Sequence, residues 1–143
     1  METRPRLYTQ MYIKTQIKVL SWNVLHPDDQ FQRSTSVESK IEVLRKIMLE
    51  VSPDVVCLQE VSMTMLQLLL NKHPGYCWHS LQCWNNWFVV LGTRNNSIKI
   101  GTQVFCSPNA KNSSGKGVLL VKYRGSIYGS IHLPFSKQGG EEY

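Results

Sequence analysis

Residues 53–61 read PDVVCLQEV, and this stretch is the centre of the predicted fold. Its four consecutive apolar residues, 55–58, predict a strand that is buried on both faces. The strand then ends on Gln59 and Glu60. A carboxylate at the end of a buried strand can be aimed into a cleft by the rigid sheet behind it. It could equally be a first-turn carboxylate of a following helix, where the helix dipole favours negative charge.

Helical patterns flank this strand on both sides. Residues 34–36, STS, offer a helix N-cap. Apolar residues then recur at helical spacing from Val37 to Val51, which predicts a helix that ends before Pro53. A second helix is predicted to begin at Ser62 and to stop at residues 73–75, HPG.

Strand patterns occupy the rest of the chain. An early strand, residues 17–22, ends at Asn23. Further strands are predicted at 77–83, 87–92, 98–105, 118–123 and 126–133. The order strand, helix, strand, helix and then a run of strands predicts an α/β or α+β fold with a mixed sheet. The basic loop at 108–117 contains Gly115 and Lys116, but it lacks the other residues of a P-loop.

Length and charge limit the classes of function. With 143 residues and 42% hydrophobic residues, the chain is predicted to form one domain with a real core. There are 16 Lys and Arg against 10 Asp and Glu, a net charge of +6. This balance suits a polyanionic partner such as nucleic acid or a phosphorylated substrate. The alternative is that the charge serves only solubility.

The N-terminus and the cysteines indicate an intracellular protein, cytoplasmic or nuclear. Residues 1–15 carry charge but no apolar segment of signal-peptide length, and we interpret them as a flexible N-terminal arm before a domain at 16–143. No stretch has the length and apolar character of a membrane span. The four cysteines have no zinc spacing, which fits a reducing compartment.

Three polar residues lie at the ends of predicted strands: Asn23, Glu60 and His132. Together they could form a site for a hard divalent cation, since Mg²⁺ needs only one or two carboxylates. An amide could orient the ligands, and an imidazole could bind phosphate or move a proton. Each residue also has a structural interpretation: a turn asparagine, a helix-dipole carboxylate and a partly buried histidine.

Three segments resemble the first motifs of the endonuclease/exonuclease/phosphatase superfamily: residues 17–25, IKVLSWNVL; 53–61, PDVVCLQEV; and 128–134, YGSIHLP. The resemblance implies the N-terminal half of a four-layer αββα sandwich, with two helices on one face of a mixed sheet. It also implies Mg²⁺ or Mn²⁺ as cofactor and hydrolysis of a phosphodiester, most naturally in nucleic acid.

The resemblance assigns a role to each candidate residue. Glu60 matches the main metal-ligand glutamate, and Asn23 matches the asparagine that organises the metal and the phosphate. His132 matches a histidine that contacts the scissile phosphate. We therefore expect Asn23, Glu60 and His132 to be catalytic, with Glu60 and Asn23 at the metal.

Two later motifs of the family, Asp-x-Asn and Ser-Asp-His, are absent, and the aspartates are Asp28, Asp29 and Asp54. We therefore expect an incomplete domain that is not active alone: a truncated product, a split gene or a decayed copy. Its expected partners are a phosphodiester substrate, a C-terminal half-domain or a second copy. Two alternatives stay open, a non-catalytic remnant that binds nucleic acid or protein, and an unrelated domain with chance matches.

Overall fold

A computed structural model describes residues 3–12, 15–27, 36–105 and 116–133 of the chain. Within them the chain forms two helices and eight strands. The elements are β1 Arg6–Tyr12, β2 Thr15–Asn23, α1 Val37–Val51, β3 Val55–Val61, α2 Met63–Lys72, β4 Cys77–Trp84, β5 Trp87–Thr93, β6 Ile98–Val104, β7 Gly117–Tyr123 and β8 Ser126–His132. The predicted helices and strands are confirmed, with bounds that differ by a few residues.

The first five strands form one mixed sheet in the order β1-β2-β3-β5-β4. Strands β2 and β3 are parallel, and α1 makes the crossover that a parallel pair needs. The other neighbours in this sheet are antiparallel. Asn23 pairs in register with Gln59, so the carboxyl ends of β2 and β3 lie side by side. This pairing brings Asn23 next to Glu60.

Both helices pack on one face of this sheet. The cap of α1 is Ser36, one of the three residues predicted, and it accepts a hydrogen bond from the Ser39 amide. Helix α2 is capped by Ser62, as predicted, which accepts one from the Met65 amide. The apolar sides of the helices meet alternate residues of the strands. This core contains Leu20, Trp22, Leu44, Met48, Val56, Leu58, Met65, Leu69 and Val90.

The opposite face of the sheet packs on a second sheet of order β6-β7-β8, which is antiparallel throughout. Residues of β3 alternate between the two cores, which explains why its apolar run has no polar interruption. The second core contains Ile17, Val55, Cys57, Val89, Leu91, Leu119, Val121 and Tyr123. The result is a helix layer, a mixed sheet and a second sheet, and the predicted fold class is confirmed.

The structure differs from the expectation of a flexible arm at residues 1–15. Residues Arg6–Tyr12 form β1, which pairs with β2 along its whole length. The physical reason is that β2 would otherwise present the unpaired amides and carbonyls of a sheet edge. The domain boundary at residue 16 stays a prediction.

Within the described part of the chain, neither helix combines the length and apolar character needed to span a membrane. Cys57 and Cys83 are buried free thiols, and Cys77 is partly exposed. Burial raises the pKa of Cys57 to about 12 and that of Cys83 to about 11. Both side chains therefore serve packing. Cys106 and most of the predicted basic loop lie outside the described residues.

Candidate functional site

Glu60 lies where β3 leaves the regular sheet. Its φ angle is 58°, in the left-handed region that residues other than glycine seldom adopt. The pairing of β3 with β5 shifts register between Leu58 and Val61, so Glu60 lies in a bulge. Bulges re-aim a side chain, and backbone strain of this kind concentrates at functional sites. The local conformation turns the carboxylate toward the end of β2.

Asn23 holds the Glu60 carboxylate directly. Its Nδ2 donates to Glu60 Oε2 at 2.7 Å, and its Oδ1 accepts from the Leu25 amide at 3.1 Å. The amide has only one workable orientation, because a carboxylate accepts and a backbone N–H donates. Asn23 therefore presents its nitrogen, not its oxygen, to Glu60. In this arrangement it orients the carboxylate and does not offer an oxygen ligand beside it.

His26 supplies the second hydrogen bond to the carboxylate, and it does so through its backbone. Its amide N–H donates to Glu60 Oε1 at 3.3 Å. The fully buried imidazole stacks on Trp87, with 3.8 Å between ring centroids and 7° between planes. Its Nε2 lies 2.7 Å from the Asn86 carbonyl oxygen. Since a carbonyl only accepts, Nε2 carries a proton. The ring thus anchors the loop that reaches Glu60.

The hairpin turn between β4 and β5 supports this loop. Asn86 has a φ of 62°, and its Oδ1 accepts from the Met63 amide at 2.8 Å, at the start of α2. On the other side of the loop, the ammonium of Lys40 donates to the Leu25 carbonyl. Lys40 is only 4% exposed. These contacts connect both helices to the loop that carries His26.

His132 reaches the same carboxylate from the second sheet. Its Nε2 lies 3.4 Å from Glu60 Oε2 and 3.2 Å from Lys116 Nζ. An ammonium has no acceptor, so the charged Lys116 donates and His132 Nε2 accepts. The imidazole then carries its proton on Nδ1, so no hydrogen lies between His132 Nε2 and Glu60 Oε2, and their approach is neither a hydrogen bond nor an ion pair. Burial lowers the pKa of Lys116, and the charge of Glu60 opposes that shift.

The donor atoms around Glu60 fit a hard cation only in part. Among the described residues, no group of three or more His, Cys, Asp or Glu is arranged to hold a metal ion. One carboxylate is present, and Mg²⁺ can use a single carboxylate with water and substrate phosphate completing its shell. Glu60 is the residue that would hold the ion. Beside Glu60, the described residues offer nitrogen donors, which suit an anion.

The three residues predicted from strand ends are brought together by the structure. Sequence reasoning missed His26, Lys40 and Lys116. His26 follows a predicted strand without belonging to any predicted element, and its contribution is a backbone amide that no residue pattern reveals. For Lys116 a signal was present in the sequence, since this lysine lies two residues before the strand predicted at 118–123. In the pairing of β7 with β8, Gly117 lies opposite His132, so Lys116 is next to that pair and its ammonium reaches His132.

Solved structures of similar fold have far longer chains. D. rerio TDP2 carrying 14 humanising mutations has a TM-score of 0.57 and 18% identity, over 79% of this chain and 47% of that one. D. rerio TDP2 complexed with a single-strand DNA product has the same score and identity, over 79% and 43%. The human Nocturnin catalytic domain with bound sulfate has a TM-score of 0.50 and 17% identity, over 89% and 51%. The matched region thus spans about half the length of these chains.

No curated protein sequence matches this chain. The model of the Endonuclease/Exonuclease/phosphatase family, in contrast, matches residues 20–135. That range contains Asn23, Glu60 and His132, together with strands β3 to β5 of the first sheet and all of the second sheet. An unrelated domain with chance motif matches, the last of the alternatives, is therefore wrong. The chain belongs to the Endonuclease/Exonuclease/phosphatase family.

Proposed function

We propose that this chain is the N-terminal half of a divalent-metal-dependent phosphodiesterase that acts on nucleic acid and is not active alone. The observation that carries the proposal is the convergence of three strand ends. Asn23 from β2 and His132 from β8 both contact Glu60 at the end of β3. These residues come from both sheets, yet they contact the same carboxylate oxygen. Membership of the family gives that convergence its chemical interpretation.

Each residue has a distinct role in the proposed reaction. Glu60 would hold Mg²⁺ or Mn²⁺, and Asn23 and the His26 amide fix the two oxygens of its carboxylate. His132 contacts the scissile phosphate, beside the Glu60 carboxylate. The bound cation would supply stabilisation of the charge that develops on the phosphoester oxygens. We assign Asn23 to positioning, since its amide oxygen is used by the Leu25 amide.

Nucleic acid is the proposed substrate class. The net charge of +6 favours a polyanion. D. rerio TDP2, which has the same fold, was solved with a single-strand DNA product. We also propose an intracellular location, cytoplasmic or nuclear, because the cysteines of the described residues are free thiols, as a reducing compartment favours.

We propose that the catalytic site of this chain is incomplete, because catalysis needs a group that activates water. Among the described residues, Glu60 is the one carboxylic acid of the site, and its oxygens already accept hydrogen bonds from Asn23 and the His26 amide. We infer that a C-terminal half-domain or a second copy completes the site. The same observation favours a second candidate function, a non-catalytic protein that binds nucleic acid through its basic surface.

The test is Mn²⁺ binding to the 143-residue chain, measured by isothermal titration calorimetry, together with cleavage of a single-stranded oligonucleotide. We expect weak Mn²⁺ binding that Glu60→Gln abolishes and that Glu50→Gln, an exposed control on α1, leaves unchanged. Equal binding by the wild type and Glu60→Gln would overturn the metal assignment. Oligonucleotide binding that weakens with salt, with no Mn²⁺ binding, would support the non-catalytic candidate instead.

A further inference from the structure

Lys116 is held in place by unusually close packing of the residue that follows it. A Cβ atom at Gly117 would lie 2.6 Å from Cys83 Sγ and 2.9 Å from the Gln103 carbonyl oxygen. Only glycine lets the backbone approach these neighbours, so the start of β7 packs directly against β4 and β6. The Lys116 carbonyl also accepts from the Phe105 amide at 3.1 Å. The backbone therefore fixes where the Lys116 side chain begins.

The Lys116 ammonium is placed in the site and not in open solvent. It lies 3.2 Å from His132 Nε2, and the side chain is half-buried. Burial lowers its pKa, while the negative charge of Glu60 favours the charged form. Taking a cation out of water is costly unless it gains partners there. A lysine that served solubility alone would have its ammonium in water, as expected for the exposed Lys122 on the same strand.

We propose that Lys116 binds the phosphate group of the substrate's nucleic-acid backbone, next to His132. This inference rests on the proposed function and adds a residue from the second sheet to the site. An ammonium carries three N–H donors, so it can keep its contact with His132 and still donate to a phosphate oxygen. Its positive charge also offsets the repulsion that Glu60 exerts on an incoming anion.

Binding of inorganic phosphate to the 143-residue chain tests this role without any need for turnover. The dissociation constant is followed by NMR titration in the absence of divalent metal. We expect Lys116→Met to weaken binding by about 10- to 100-fold, as loss of one charged hydrogen bond does. Lys116→Arg should retain most of the affinity, because the charge and donors stay. Lys122→Met is the matched control and should bind like the wild type.

Two further comparisons separate a binding role from a structural one. Thermal denaturation checks that Lys116→Met folds, and a variant that folds but binds phosphate like the wild type would overturn the inference. So would a wild type that binds no phosphate. Glu60→Gln should bind phosphate more tightly than the wild type, because a repelling charge is gone, while losing Mn²⁺. If Lys116→Met binds phosphate as tightly as the wild type while Glu60 still binds Mn²⁺, this inference is wrong and the proposed function is unaffected.

Discussion

Gln59 on β3 and Ser130 on β8 are joined by a buried hydrogen bond that connects the two sheets. Gln59 Nε2 donates to Ser130 Oγ at 3.0 Å, and the hydroxyl donates in turn to the Leu58 carbonyl at 3.2 Å. Ser130 is fully buried. Gln59 directly precedes Glu60, and Ser130 lies two residues before His132. This contact therefore sets the separation between the carboxylate and the imidazole of the site.

Replacing Ser130 with alanine should destabilise the fold and loosen the site. The Gln59 amide and the Leu58 carbonyl would both lose a buried partner, at a cost of about 1–3 kcal/mol. Urea denaturation measures this free energy. Ser126→Ala, at the other end of β8, is the control and should change stability by less than about 0.5 kcal/mol. Equal unfolding free energies for the two variants would contradict the role of Ser130.

Changing Asn23 to aspartate tests whether the site accepts a cation, without reference to turnover. The substitution puts a second carboxylate 2.7 Å from Glu60 and removes the amide donor. In the presence of a metal chelator, we expect Asn23→Asp to have a lower melting temperature than the wild type, because two like charges then face each other. Mn²⁺ should raise the melting temperature of Asn23→Asp more than that of the wild type. A variant whose melting temperature is insensitive to Mn²⁺ would count against a cation site at Glu60.

The fold and part of the site could be predicted because they depend on patterns within short stretches of sequence. The apolar run at 55–58 is buried on both faces, and the serine caps at Ser36 and Ser62 begin helices as predicted. Residues at strand ends meet because β2 and β3 are parallel and in register. The sequence pattern therefore identified Asn23 and Glu60 as neighbours.

The rest depends on contacts between residues far apart in the chain. His26 is fixed by Asn86, 60 positions away, and donates to Glu60 through an amide that every residue possesses. Lys116 meets His132 only because β7 and β8 form a hairpin in this register. Pairing of β1 with β2 was likewise invisible, because the sequence before residue 15 has no strong apolar pattern.

His26→Phe should destabilise the loop while preserving its packing. Phenylalanine can keep the stacking on Trp87 but cannot donate to the Asn86 carbonyl. Losing this partly buried hydrogen bond costs about 0.5–1.5 kcal/mol, which chemical denaturation can measure. We also expect weaker Mn²⁺ binding, since the backbone amide that holds Glu60 becomes less well fixed. Asn85→Ala, on the exposed side of the same turn, should leave both quantities unchanged. Wild-type stability in His26→Phe would contradict the anchoring role.

Cys57 should make the protein sensitive to alkali. Burial raises the pKa of its thiol to about 12, from 9.0 for an unperturbed thiol. Because the folded pKa is the higher one, the thiol's contribution to stability is intact below pH 9 and is lost as pH rises through 12. The loss approaches about 1.4 kcal/mol per pH unit in that window.

Cys57→Val removes this titration and keeps the core apolar, so the comparison isolates one thiol. Cys83, whose pKa is also raised, is present in both proteins and its effect cancels. Urea denaturation at several pH values should give a constant difference in unfolding free energy below pH 9, set by packing alone. Above that value the wild type should lose stability faster than Cys57→Val. If the difference in unfolding free energy between the two proteins stays constant from pH 9 to pH 12, Cys57 does not stay protonated in the folded core over that range.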